Sequence, residues 1–135
     1  MALTGVMPWH QATWQHLTRL ADGGRMPHAL LIHGAHGEGK QQLAEALIAR
    51  TLCASPADQA CGHCHSCSML ESGYHPDLLR VSPEEGKRQI RIDPIREVNR
   101  FVSQTAQQGG YRVIVVSPAE AMNVAAANAL LKSLE

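Results

Sequence analysis

Gly34-Ala35-His36-Gly37-Glu38-Gly39-Lys40 is the stretch on which the reading of this 135-residue chain turns. It fits the pattern G-x-x-x-x-G-K and lies between two segments of different periodicity. Before it, His28 to His33 is a short apolar run, expected as a buried strand. After it, Leu43, Ala44, Leu47, Ile48 and Leu52 recur at helical spacing, which predicts an amphipathic helix over Lys40 to Leu52. Strand, glycine loop and helix is the order that phosphate-loop chemistry requires. In such a loop successive backbone N–H groups turn inward, the helix N-terminus adds its partial positive charge, and the lysine reaches the β and γ oxygens of a nucleotide. The candidate nucleotide-binding residues are therefore Gly34, Gly37, Glu38, Gly39, Lys40 and Gln41. The competing reading is a chance glycine-rich turn, and the flanking periodicities argue against it.

One departure from the motif matters more than the match. The position after the lysine normally carries Ser or Thr, whose hydroxyl ligates Mg²⁺, and here it is Gln41. A second departure lies further along. Tyr111 to Val116 is β-branched and apolar and reads as another buried strand; a working ATPase would end it in acidic residues for Mg²⁺ and for the attacking water. Ser117 and Pro118 stand there instead. Glu120 comes three positions late and reads as a solvated helix-entry residue. Two parts of a hydrolytic apparatus are missing, so the expectation is a phosphate-loop fold without efficient catalysis, with ATP or ADP binding left open.

Outward from these segments, secondary structure alternates. Trp9 to Leu20 carries apolar residues at 9, 14, 17 and 20 and predicts a surface helix ending near Gly23 and Gly24. Asp77 to Val81 and Arg88 to Ile92 read as short strands. Asp93 and Pro94 suit the N-cap and first position of a helix carrying Ile95, Val98 and Val102 and running to about Gly109. Asn123 to Glu135 is an alanine- and leucine-rich helix. The pattern predicts an α/β domain of three layers with a parallel sheet, occupying residues 1–135. It stops inside a strong helix with no end signal, as expected for a piece of a longer protein.

Composition sets limits on function. The mass is 14.7 kDa, the size of one domain. Hydrophobic residues are 44%, charged residues 18%, and Lys+Arg 12 balances Asp+Glu 12, which argues against disorder and against a strongly basic nucleic-acid surface. The longest apolar runs, such as Ala29 to Ile32, fall far short of the ~20 residues of a bilayer span. Met1 to Met7 lacks the apolar stretch of a secretory leader, so the expectation is a cytoplasmic protein with no membrane partner.

Cys53, Cys61, Cys64 and Cys67 form C-x7-C-x2-C-x2-C and are all the cysteine in the chain. In a reducing compartment thiols so close in sequence are metal ligands more often than disulfides. Each C-x2-C step lets two thiolates converge on one ion, and Gly62 gives the turn its freedom. The reading is a structural zinc site within a module spanning 53–67. An iron–sulfur cluster of the bacterial ferredoxin pattern needs a further cysteine downstream, and none follows. His63, His65 or His75 could replace a thiolate, but four sulfurs already close the shell and leave no position for catalytic water.

Three stretches together carry a resemblance. Arg25-Met26-Pro27-His28-Ala29-Leu30-Leu31-Ile32-His33-Gly34, the cysteine module after the phosphate-loop helix, and Ala126-Ala127-Asn128-Ala129-Leu130-Leu131-Lys132-Ser133-Leu134-Glu135 resemble the clamp-loader subunits of bacterial DNA polymerase III, which are AAA+ proteins. The likeness covers nearly the whole chain. An ATP-hydrolysing gamma/tau-type member would show Lys-Thr at the loop and Asp-Glu after the strand; Lys40-Gln41 and Ser117-Pro118 look instead like a member with a degenerate nucleotide site. That resemblance implies a stator of a ring-like pentamer with gamma/tau and delta subunits as partners, and with the sliding clamp and primed DNA as indirect ones. It also implies an arginine finger from a Ser-Arg-Cys motif that these residues do not include, so no catalytic residue is named. Arg80, Arg88, Arg91, Arg96, Arg100 and Arg112 are read as solvated charge, balanced in part by Glu84, Glu85, Asp93 and Glu97. Two other classes were weighed: an independent zinc module binding nucleic acid lacks a basic groove and stacking rings, since aromatics are 4%, and a small-molecule kinase lacks an identifiable base.

Overall fold

The structure is a computed structural model that describes residues 6–35, 37–104 and 110–134. Helices and strands form two compact units, one through His75 and one from Pro76 onward.

The first unit is helical. A 3-10 turn, Pro8–His10, leads into α1, Gln11–Asp22, which stops where the Gly23 N–H bonds the Arg19 carbonyl at 3.0 Å. Helix α2 spans Lys40–Leu52, as its apolar spacing predicts, and α3 spans His65–Glu71. Trp14 of α1 is fully buried against Leu43 and Ala46 of α2, with Val6, Ile32 and Leu47 packed around them. Of the stripe expected on the first helix, Trp14 and Leu17 are buried, whereas Trp9 is exposed. Helix α2 buries Leu43, Ala46, Ile48, Ala49, Arg50 and Leu52, which is more than one face; Trp14 of α1 packs on Leu43 and Ala46, and α3 also contacts the helix.

The run His28 to His33 is not a strand. Ile32 is half-buried, but Leu30 is exposed and Leu31 is 74% exposed. An extended segment becomes a strand only when a neighbour accepts its backbone hydrogen bonds, and among the described residues of this unit there is no strand to do so.

The second unit holds a small parallel sheet. Strand β1, Leu78–Val81, pairs with β2, Val113–Val116, in the register Leu78↔Val113 to Val81↔Val116. Parallel neighbours need a long crossover, and the segment carrying α4, Ile92–Val102, provides it. The expected strand Arg88 to Ile92 shrinks to one bridge, Ile90 with Met122, because Ile90 alone of its neighbours is buried and Ile92 already belongs to α4. Arg91, rather than Asp93, holds the N-cap position of α4, which moves Asp93 and Pro94 into its first turn. Ile95 and Val98 are buried as expected while Val102 is exposed, and the helix ends at Ser103 instead of near Gly109; residues 105–109 lie outside the described residues. Helix α5, Val124–Leu134, starts where the Asn123 side chain accepts the Ala126 N–H at 2.9 Å, an N-cap bond. Val81, Ile90, Ile95, Val98 and Ala126 form the core, with Leu79, Ile114, Val116 and Met122 against it. The second unit is therefore mixed helix and strand, with a two-stranded parallel sheet among the described residues.

Arg112 overturns the reading that made it surface charge. Its side chain is 10% exposed, and its partner Asp77 is 1% exposed. Nε donates to Asp77 Oδ1 at 3.4 Å, Nη1 to the Phe101 carbonyl at 2.7 Å and to Gln104 Oε1 at 3.2 Å, and Nη2 to the Pro76 carbonyl at 3.2 Å. The guanidinium carbon lies 4.0 Å from the centre of the Phe101 ring. One side chain thus ties the end of α4 to the entry of β1, and charge spacing along the chain could not reveal it because Asp77 is 35 positions away. Arg96 and Arg100 behave as expected, forming exposed pairs with Asp93 and Glu97. Arg112→Met should lower unfolding free energy by about 3–5 kcal/mol, the scale of a buried pair broken on one side. Chemical denaturation of the variant checks this; a loss below about 1 kcal/mol would return Arg112 to the surface class.

Candidate functional site

Two candidate sites sit at opposite ends of α2. At its start the loop relies on glycine: Gly37 and Gly39 have φ of 82° and 85°, a left-handed region that side chains rarely enter. Gly39 is also the residue before the first helical turn, and a Cβ there would come within 2.9 Å of Met7 Cγ. Around these turns the loop satisfies itself. Lys40 Nζ donates to the Gly34 carbonyl at 2.8 Å, and the Ala35 N–H donates to Glu38 Oε2 at 3.0 Å. The same Glu38 oxygen occupies the space where a Cβ on Gly34 would stand. Trp9 Nε1 donates to the Glu38 carbonyl at 2.6 Å and so braces the loop from the turn before α1. Gly34, Glu38 and Lys40 are thus brought together, Gly37 and Gly39 supply the turns, and Gln41 lies exposed on the first turn of α2. His36 lies outside the described residues.

Chemically, the loop already holds an anion of its own. A carboxylate sits on a backbone N–H of the kind that would meet a phosphate oxygen, and the lysine is turned to a carbonyl. Ser117, with its N–H on the Val81 carbonyl at 3.0 Å, and Pro118 follow β2, and Glu120 is exposed in the 3-10 turn Ala119–Ala121.

At the other end of α2 the four cysteines converge. Cys53 caps the helix, its N–H on the Ala49 carbonyl at 3.0 Å, and its extended backbone turns the chain away. Gly62, at φ 81°, makes the turn after Cys61. Cys64 is the N-cap of α3, its sulfur accepting the Cys67 N–H at 3.4 Å, and α3 carries Cys67 itself, fully buried. The four sulfurs lie within 4.8 Å of one another, with Cys61–Cys67 and Cys53–Cys64 both at 4.0 Å, and no disulfide joins them. Backbone N–H groups aim at the sulfurs: Ser55 and Cys61 at Cys53 (3.4 and 3.3 Å), and His63 and Cys64 at Cys61 (3.5 and 3.3 Å). Such donors favour thiolate over thiol.

A tetrahedral zinc ion with Zn–S near 2.3 Å would hold its sulfurs about 3.8 Å apart, so the two pairs at 4.0 Å already match it and the sulfurs within 4.8 Å would need to close by up to about 1 Å. Its electrostatics point the same way. Burial pushes the Cys64 thiol up, but the backbone of Ala54 and Cys67 and the sulfurs of Cys67 and Cys61 outweigh it and bring it down from 9.0 to about 6. Burial pushes Cys67 up to about 12, and its neighbours Cys64 and Cys53 add to that. Crowded sulfurs cannot all ionise without a cation among them, and a divalent metal removes that conflict. His63 and His65 are exposed and His75 is not part of the cluster, so the group that could hold an ion consists of the four cysteines.

Sequence reasoning missed what holds this module. Arg50 is buried, and its Nε is shared between the carbonyls of Ala57 and Asp58 at 3.0 and 3.2 Å. Trp14 Nε1 donates to the same Asp58 carbonyl at 3.0 Å. The one signal available in advance was an arginine on the apolar side of a helix.

The first unit carries a glycine loop that opens a helix and four cysteines gathered at its end, and the second a parallel β-α-β unit, so the chain mixes helix and strand and holds a four-cysteine cluster. The chain belongs to the DNA polymerase III, delta subunit family, whose pattern matches residues 9–135. It is 49% identical to the protein of Pseudomonas aeruginosa named DNA polymerase III subunit delta', over 98% of this chain and 40% of that one. It is 40% identical to the Escherichia coli protein of the same name, over 95% of this chain and 39% of that one. A Salmonella typhimurium protein named DNA polymerase III subunit tau is more distant, at 29% identity over 88% of this chain and 19% of its own. The chain spans about 40% of the length of the delta' relatives. No helix among the described residues is long and apolar enough to cross a membrane.

Two outcomes follow from the geometry. Cys64→Ser should abolish metal retention on purification while leaving the second unit folded, as read by elemental analysis beside circular dichroism; unchanged metal content would remove Cys64 from the ligand set. Glu38→Gln should raise ATP affinity roughly tenfold in calorimetric titration, the scale of one hydrogen bond to a charged group. Unchanged affinity would mean that the carboxylate does not compete for the phosphate seat.

Proposed function

We propose that this chain is the N-terminal part of a clamp-loader subunit of the delta-prime type, a stator within the DNA polymerase III holoenzyme, helping to load the sliding clamp onto primed DNA. The observation that carries the reading is the self-satisfied phosphate loop: Lys40 on the Gly34 carbonyl, Glu38 on the Ala35 N–H, and Gln41 where a magnesium-binding hydroxyl would be. Relatives named as delta' subunits at 40–49% identity agree with it. In this reading the domain is a three-layer AAA+ phosphate-loop domain, residues 1–135, with a structural zinc ion held by Cys53, Cys61, Cys64 and Cys67 in the module 53–67. Gly34, Gly37, Glu38, Gly39, Lys40 and Gln41 line a degenerate nucleotide site. Its partners are the gamma/tau and delta subunits, and its place is the cytoplasm.

Mechanistically, these residues hold shape rather than perform a reaction. Cys53, Cys61, Cys64 and Cys67 would hold a zinc ion, which would contribute folding energy to a small loop, and four thiolates would leave no coordination position for catalytic water. A phosphate loop without hydroxyl or acidic metal ligands lacks the Mg²⁺ that neutralises charge on a transferring phosphoryl group.

The full-length chain should show no Mg-ATP turnover above background, and Gln41→Thr alone should not create any, because Ser117 and Pro118 still replace the acidic pair. Added to gamma/tau and delta subunits, it should restore ATP-dependent clamp loading that is absent without it. Turnover by the chain alone that is lost in Lys40→Ala would make it a motor subunit and overturn the proposal.

A further inference from the structure

The loop between Cys53 and Cys61 has to bring the first and second thiols of the cluster together, yet it contains no regular element of its own. A free loop of this length would sample many geometries and would charge the metal with the entropy of ordering it. Here two side chains from outside the loop take its backbone in hand. Arg50, one turn before Cys53 on α2, gives its Nε to the Ala57 and Asp58 carbonyls at 3.0 and 3.2 Å, and its Nη2 to Asp22 Oδ1 at the end of α1 at 2.9 Å. Trp14, fully buried on α1, gives its indole N–H to the same Asp58 carbonyl at 3.0 Å. Asp58 enters both bonds through its main chain. Its side chain takes no part in either.

We propose that Arg50 and Trp14 are positioning residues of the four-cysteine centre, holding the Ala57–Asp58 backbone so that Cys61 is preset opposite Cys53 before a metal arrives. This rests on the reading that the four cysteines hold a metal ion. The guanidinium suits the task because its planar fork can face two carbonyls and a carboxylate at once, which an ammonium group cannot. The Asp22 carboxylate is 69% exposed, so the ion pair itself adds little; its effect is to orient the fork. The cysteine module and the α1–α2 packing are thereby one mechanical unit, and metal affinity depends on a tryptophan and an arginine that never touch the metal.

The test uses the full-length chain and Co²⁺ and Zn²⁺ as probes, with thiolate-to-cobalt absorption and competition against a chromogenic chelator as readouts. Arg50→Lys keeps the charge and loses the fork; it should weaken metal binding roughly 10- to 100-fold, the usual effect of removing a group that orients a ligand. Trp14→Phe keeps the ring in the core and loses the N–H; it should weaken binding by a smaller factor. The double variant should lose less than the product of the two, because both donors serve one carbonyl. Asp58→Ala should bind as the unaltered chain does, since only its carbonyl is used. If the unaltered chain binds neither ion tetrahedrally, the metal reading itself fails. If it binds and both Arg50→Lys and Trp14→Phe bind equally tightly, the positioning role is overturned. Affinity lost only in step with helical content of the metal-free variants would likewise overturn it, and should Arg50→Lys not fold, Trp14→Phe with its conserved ring decides the matter.

Discussion

Backbone that leaves a helix or a sheet still has to find hydrogen-bond partners, and burying it without them costs about as much as losing the bonds themselves. In this chain that constraint is met, at several loops, by side chains: cations, indoles, a carboxylate and thiols. Arg50 and Trp14 hold the carbonyls of the 54–60 loop, Arg112 holds those of Pro76 and Phe101, and Lys40 holds that of Gly34. The cysteine sulfurs accept the N–H groups of the turns that present them. Few residues are spent on regular strands, so these side chains do for the loops what ladder bonds do for a sheet.

The two ends of α2 answer the constraint in opposite ways. At the glycine loop the local charges are already matched, carboxylate to N–H and ammonium to carbonyl, and an incoming phosphate must displace both. At the cysteine end the charges are not matched. Four sulfurs crowd within 4.8 Å, one thiol inclined to ionise and one strongly opposed, and a divalent cation would relieve that conflict. One helix therefore starts at a loop whose charged side chains are matched from within and ends at four crowded sulfurs that could hold a metal ion.

Much of this was legible in advance wherever the cause was local. The period of Leu43, Leu47 and Ile48 marks α2 with its observed bounds, the run Val113 to Val116 marks β2, and the C-x2-C steps mark a cluster that closes as read. The segment His28 to His33 was misjudged because apolar character makes a strand only when another strand lies alongside. Arg88 to Ile92 failed for a similar reason, with Ile90 alone reaching a partner.

What the sequence determined by itself is what a few neighbouring residues settle: a left-handed turn that needs glycine at 37, 39 and 62, a helical repeat, and a spacing of thiols set by one tight turn. Tertiary structure alone decided which charges are buried. Arg112 meets Asp77 across 35 positions and Arg50 meets Asp22 across 28, and in both cases the same residue types, read along the chain, look like ordinary surface charge. The physical reason is that an ion pair depends on distance and desolvation in space, and neither is encoded by position in a sequence until the backbone has brought the partners together.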